Sequence, residues 1–295
     1  MEEVHITFVH GLANKPTPAK LRRIWLDALR TPVAGDDGFD LAAAGVSASF
    51  VYWADLFYDS PIPATDYESV SDELSRSIQG GKGQVPTNDW IKAMRRHYPE
   101  AEIEYPEPPI SKELSQYERI PLPGFLKKAI MAEYLREAHD YLFNVKGIRD
   151  AIRSRVIEDL HKYPDGTRHI LIGHSQGTFI LYDVLTAIDN CPPIDGFMTI
   201  GSPLGVDEVQ NHLRWSRDNG FPAKLLGDWV NVFDPFDLVA RPDPQLANDF
   251  RKAGKTVVID VKEENWGYWR HSATKYLKGP KLRAHLRRLC GRIGG

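Results

Sequence analysis

Short apolar-rich runs recur along the chain at Val4–Val9, Val46–Trp53, His169–Ile172, Gly196–Ile200, Trp229–Phe233 and Thr256–Val261, and each is predicted to be a strand. Between them lie stretches of helical period. Leu21 to Leu29 sets Leu21, Ile24, Trp25, Ala28 and Leu29 on one face; Ile148, Ile152, Val156 and Leu160 mark a second helix. In a third, Thr178 to Asn190, the apolar face is Ile180, Val184, Leu185 and Ile188. Strands that alternate with helices imply an α/β fold, a mostly parallel sheet with helices on both faces.

The alternation breaks once. From Trp53 to His169 about 115 residues intervene, where a crossover needs roughly a dozen. Segment 57–143 is therefore read as an insertion within a single domain, 1–295. Much of it is rich in proline and acid, as in Ser60-Pro-Ile-Pro63, Gly80-Gly-Lys-Gly83 and Glu104-Tyr-Pro-Glu-Pro-Pro109. A helix is predicted at Phe125–Phe143, with Leu126, Ile130, Tyr134, Ala138 and Tyr141 on one side. The expectation is a large cap or lid, placed before the strand at 169–172; the plainer alternative is a surface decoration.

Composition narrows the partners. A formal charge of −3 over 295 residues gives no electrostatic case for nucleic acid. No run approaches a membrane span, and the acidic start Met-Glu-Glu is unlike a signal peptide, so a cytoplasmic location is expected. Cys191 and Cys290 are the only cysteines, far apart, and are expected to be unpaired. There is no metal-ligand cluster, phosphate-cradling glycine loop or dinucleotide fingerprint, so no cofactor is expected.

The candidate chemistry centres on Ile170-Leu-Ile-Gly-His-Ser-Gln-Gly-Thr-Phe-Ile-Leu181. Glycine-x-serine-x-glycine arises by chance in roughly one chain in ten of this length, so the flanks decide. A strand before and a helix after make Ser175 the apex of a sharp turn; Gly173 and Gly177 allow strand and helix to approach, and the helix N-terminus faces any oxyanion formed there.

Val9-His-Gly-Leu-Ala13 and Gly173-His-Ser-Gln-Gly177 together resemble the oxyanion-loop and nucleophile motifs of bacterial lipases and esterases of the α/β-hydrolase superfamily. The resemblance covers most of the chain outside the insertion. It implies Ser175 as nucleophile, followed in chain order by an acid and a histidine. Only His212, His271 and His285 come after Ser175; His212 precedes every acid candidate, and His285 sits in a basic helix. His271, in the loop after the sixth strand, is the implied general base. Asp237 is the favoured acid and Asp234, three residues earlier, the alternative. The implied oxyanion donors are the backbone N–H groups of Leu12 and Gln176, while His10 and His174 are expected to bond locally. Against the commoner pattern, the sequence is expected to show no two outer strands before Val4 and to carry its insertion ahead of the nucleophile.

The activity implied is hydrolysis of a carboxylic ester or thioester of a small-molecule acyl substrate, through an acyl-enzyme. A lipase, amidase or peptidase, or acyltransferase with the same triad stays open, as does a non-catalytic binding module. Trp266, Tyr268 and Trp269 are candidates for lining an acyl pocket, and Lys281, Arg283, Arg287, Arg288 and Arg292 for a solvated basic face or an anionic surface. Oligomeric state is not legible.

Overall fold

A computed structural model describes residues 3–68, 88–97, 134–164, 166–266 and 269–291. The predicted positions Leu126 and Ile130, both glycine- and proline-rich tracts at 80–83 and 104–109, Tyr268 and Arg292 lie outside the described residues.

Six strands form one parallel sheet: β1 (Val4–Val9), β2 (Val46–Val51), β3 (Arg168–His174), β4 (Ile194–Ile200), β5 (Leu225–Phe233) and β6 (Ile259–Lys262). Their spatial order is β2-β1-β3-β4-β5-β6. Every residue of β1 and β3 is buried. That continuous burial, without polar alternation, is expected of a parallel sheet covered on both faces. The period of two still sorts the side chains: Ile170 and Ile172 join one core with Phe8, Trp25 and Leu286, while Leu171 joins the other with Phe179, Phe197 and Trp229. Parallel strands, two helical layers and the β3–Ser175–helix turn make the fold α/β-hydrolase-like.

The helix Pro18–Arg30 opens with proline, whose missing N–H costs nothing in a first turn, and buries Leu21, Ile24, Trp25, Ala28 and Leu29, the predicted face. Ile148–Leu160 and Gln176–Ala187 cover the opposite side of the sheet. Thr256 belongs to a small antiparallel hairpin, Arg251–Lys252 with Lys255–Thr256, so the last strand begins at Ile259 and not at Thr256. The apolar content of 256–258 had suggested one continuous strand, and the left-handed pair Ala253–Gly254 turns the chain back instead.

The described parts of the insertion contribute to the core. Phe57, Tyr58, Ile91, Met94, Tyr134, Leu135, Ala138, Tyr141 and Leu142 are buried in one cluster with Val9, Leu12 and Phe179. Residues 134–142 are helical, with Tyr134, Ala138 and Tyr141 inward as their spacing predicts. In the C-terminal helix Pro280–Gly291 the expected basic face divides: Lys281 and Arg288 are exposed, Arg287 is half-buried and Arg283 turns inward. Arg283 is buried and donates to Asp36 and to the carbonyls of Ala28, Thr31 and Leu277; Arg287 also grips Asp36, and Arg288 pairs with Asp228 at 3.5 Å.

Candidate active site

β3 ends at His174, and the helix Gln176–Ala187 starts one residue beyond Ser175. Ser175 takes φ 55° and ψ −124°, backbone space that a residue with a Cβ seldom enters. Its surroundings over-determine that shape: the Ser175 N–H donates to Ile200 O at 2.9 Å, and the Thr178 hydroxyl donates to Ser175 O at 2.6 Å. The two motif glycines make the turn sterically feasible. A Cβ on Gly177 would lie 2.2 Å from Val9 O, and one on Gly173 would lie 2.7 Å from the Gly177 carbonyl. Ser175 Oγ is buried and has no hydrogen-bond partner.

His271 follows the loop after β6. Its Nδ1 stands 2.7 Å from Asp237 Oδ2, both side chains are buried, and its Nε2 has no partner. Asp237 accepts three further bonds, from the Val239 N–H at 2.8 Å, the Ala240 N–H at 3.3 Å and the Tyr276 hydroxyl at 2.8 Å. The other carboxylate, Asp234, is engaged elsewhere. It accepts from the Phe236 N–H in its own turn and from the Asn265 N–H in the loop after β6, each at 2.7 Å. Burial pushes its acid up to about 6 against the pull of those N–H groups. The structure therefore joins His271 to Asp237 and gives Asp234 to the backbone.

Gly201, at the end of β4, brings this pair to the elbow. A Cβ there would meet Asp237 Oδ2 at 2.7 Å and His271 Nδ1 at 3.1 Å, while the preceding residue, Ile200, holds the Ser175 N–H. The His174 and His271 rings are 4.6 Å apart, and the His174 Nε2–H donates to His271 O at 2.9 Å. Around His10, the Trp53 N–H donates to Nε2 at 3.0 Å and Nδ1–H donates to Gly11 O at 2.8 Å. Burial drives both His10 and His174 well below the usual imidazole range, so each stays neutral and locally bonded.

The loop after β1 lies against the elbow, since a Cβ on Gly11 would come 2.4 Å from Ser175 Cβ. Leu12 follows it, and Gln176 opens the helix, where backbone N–H groups have no intrahelical acceptor. Trp269 stands edge-on to His271 at 5.3 Å, and Trp266 and Trp269 offer their carbonyls to the buried Lys275. His212 instead packs against Phe143 with the rings tilted at 49°, and His285 bonds Arg288 on the C-terminal helix.

Sequence reasoning missed Gly201, Tyr276, Lys15 and Glu137. A glycine closing a strand next to the nucleophile strand was a usable signal for Gly201; nothing local marked the others. Among the described residues no group of three or more His, Cys, Asp or Glu could hold a metal ion, and no helix is long and apolar enough to cross a membrane.

No family model matches the sequence, and no curated protein matches it. Among solved structures it is similar to a dienelactone hydrolase from Anabaena variabilis, at 10% identity and a TM-score of 0.39, over 98% of this chain and 83% of that one. So slight a likeness has no bearing on activity, and the α/β-hydrolase-like fold rests on the parallel sheet and the elbow of this chain.

Proposed function

We propose that the chain is a serine hydrolase acting on a carboxylic ester or thioester of a small molecule. One observation carries the reading: a strained Ser175 and an Asp237-anchored His271 lie at the same sheet end, with Oγ and Nε2 both buried and unbonded. Burial of two polar atoms without partners costs about 1–3 kcal/mol each, a cost that a substrate and a closing Ser–His bond would remove. Such bonds are commonly long without substrate and tighten on binding.

In this reading Ser175 Oγ attacks the acyl carbon as its proton passes to His271 Nε2. Asp237 keeps the proton on Nδ1 and stabilises the imidazolium, and the Leu12 and Gln176 N–H groups receive the developing oxyanion. Collapse releases the alcohol or thiol with the Nε2 proton. Water then attacks the acyl-serine, gives a proton to His271, and the acid leaves as Oγ recovers its hydrogen. Segment 57–143, inside a single domain of 1–295, is proposed as a cap over the site; the support is that its described ends, Phe57–Tyr58 and Tyr134–Leu142, contribute to the buried cluster that includes Leu12.

The test is intact-mass analysis after exposure to a fluorophosphonate. One adduct on wild type and none on Ser175→Ala is expected, with ester turnover lost in Ser175→Ala and His271→Ala. Folded wild type that takes no adduct would instead favour a binding module.

A further inference from the structure

The oxyanion loop is gripped by opposite charges. The Lys15 ammonium donates to Leu12 O and, at 2.9 Å, to Ala13 O. On the other side the Ala13 N–H is shared between Glu137 Oε1 and Oε2, each at 3.1 Å. Leu12 C=O and Ala13 N–H belong to one peptide unit, so a cation holds its oxygen and an anion its hydrogen. That unit cannot rotate without breaking two charge-assisted bonds, each roughly twice as strong as a neutral one. Ala13 itself sits at φ +69°, a conformation that a residue with a side chain adopts only when held.

The grip comes from the insertion. Glu137 lies in the helical residues 134–142, is fully buried, accepts from the Tyr58 hydroxyl and has Arg136 at 3.9 Å. The opposite end of the insertion holds the next residues: the Asn14 side-chain amide donates to Ser60 O at 2.8 Å, and the Ile62 N–H donates to Lys15 O at 3.0 Å.

We infer that Glu137 and Lys15 are positioning residues: by fixing the Leu12–Ala13 peptide they hold the Leu12 backbone, and so aim the Leu12 N–H of the preceding peptide unit at the oxyanion. The inference rests on the serine-hydrolase reading. Through it the inserted segment enters the catalytic geometry, because a displacement of the 134–142 helix would swing an oxyanion donor.

The full chain is compared with Glu137→Ala, Glu137→Gln and Lys15→Met, using kcat and KM on a p-nitrophenyl ester, with active serines counted by fluorophosphonate. Loss of an oxyanion donor costs about 10²–10³ in kcat; a mis-aimed one should cost roughly tenfold or more per titrated serine in Glu137→Ala and Lys15→Met, with KM little changed. Glu137→Gln, which keeps an acceptor for the Ala13 N–H, should recover part of it. A merely structural role would lower melting temperature and the titrated fraction while leaving kcat per titrated serine at the wild-type value, and that result overturns the inference alone. Amide exchange of Ala13 gives a readout without turnover, and it should accelerate in Glu137→Ala. Wild type that neither labels nor turns over refutes the hydrolase reading, and the inference falls with it.

Discussion

At the residue scale, two carboxylates three positions apart separate by what they touch. Asp237 meets an imidazole and Asp234 meets backbone amides, so their substitutions should part company. Asp237→Asn should cut kcat by on the order of 10⁴, as loss of a triad acid does, with the fold kept. Asp234→Ala orphans one buried N–H, of Asn265, at about 1–3 kcal/mol, and one half-buried, of Phe236, at less, so its urea midpoint should drop while kcat per folded molecule holds. Reversed phenotypes would assign the acid to Asp234. His5 tests the acid limb of stability. Wedged between Ser47 and Ser49 and stacked on Tyr163, it is pushed down to about 4 by burial. An unfolded histidine binds a proton near 6.5, so between those values the unfolded chain holds more protons and stability rises with pH. The loss is absent above about 6.5 and grows as pH falls towards 4. Asp234 acts with the opposite sign, its raised acid favouring the folded state at low pH, so the comparison is with His5→Asn. The variant's stability should vary less steeply from pH 6.5 to 5, by up to about 1.4 kcal/mol per pH unit; parallel curves would refute the assignment.

At the element scale, the approach of the Gln176–Ala187 helix to β1 depends on one missing methyl group. Gly177→Ala places carbon 2.2 Å from Val9 O, a backbone atom that moves only with its strand. Overpacking of this kind costs about 1–3 kcal/mol and sometimes more, so thermal unfolding of Gly177→Ala should occur several degrees lower, and an unchanged melting temperature would mean the helix can shift freely. These contacts also explain what the chain reveals of itself. The five-residue face of Pro18–Arg30 and the buried runs of β1 and β3 were legible because local period and burial coincide. The hairpin ahead of β6 was not, because two apolar valines after a turn read as strand. Tyr276 and Glu137 were invisible for another reason: each acts on a segment brought near only by folding, with Glu137 lying 124 positions from Ala13; Lys15 bonds carbonyls two and three residues away, but only through a loop conformation that carries no sequence period.

At the scale of the whole molecule, the insertion begins and ends in the same core that supports the nucleophile helix. Tyr141 reinforces this by donating its hydroxyl to the buried Asp183 of that helix at 2.7 Å, where Arg153 also pairs. Amides of residues 134–142 should therefore exchange with the opening free energy of Ile170–Ile172; exchange that is easier by more than about 3 kcal/mol would mark an independently opening cap.

The sheet order carries a consequence for synthesis. β1 is hydrogen-bonded on both sides, and on one side Val4 pairs with Arg168, 164 residues later in the chain. At about 5–20 residues per second, the ribosome leaves an apolar strand with one open edge for roughly 8–33 s before its second neighbour exists. Until then only β2 can shield it, and the nascent chain must keep that edge from other strands.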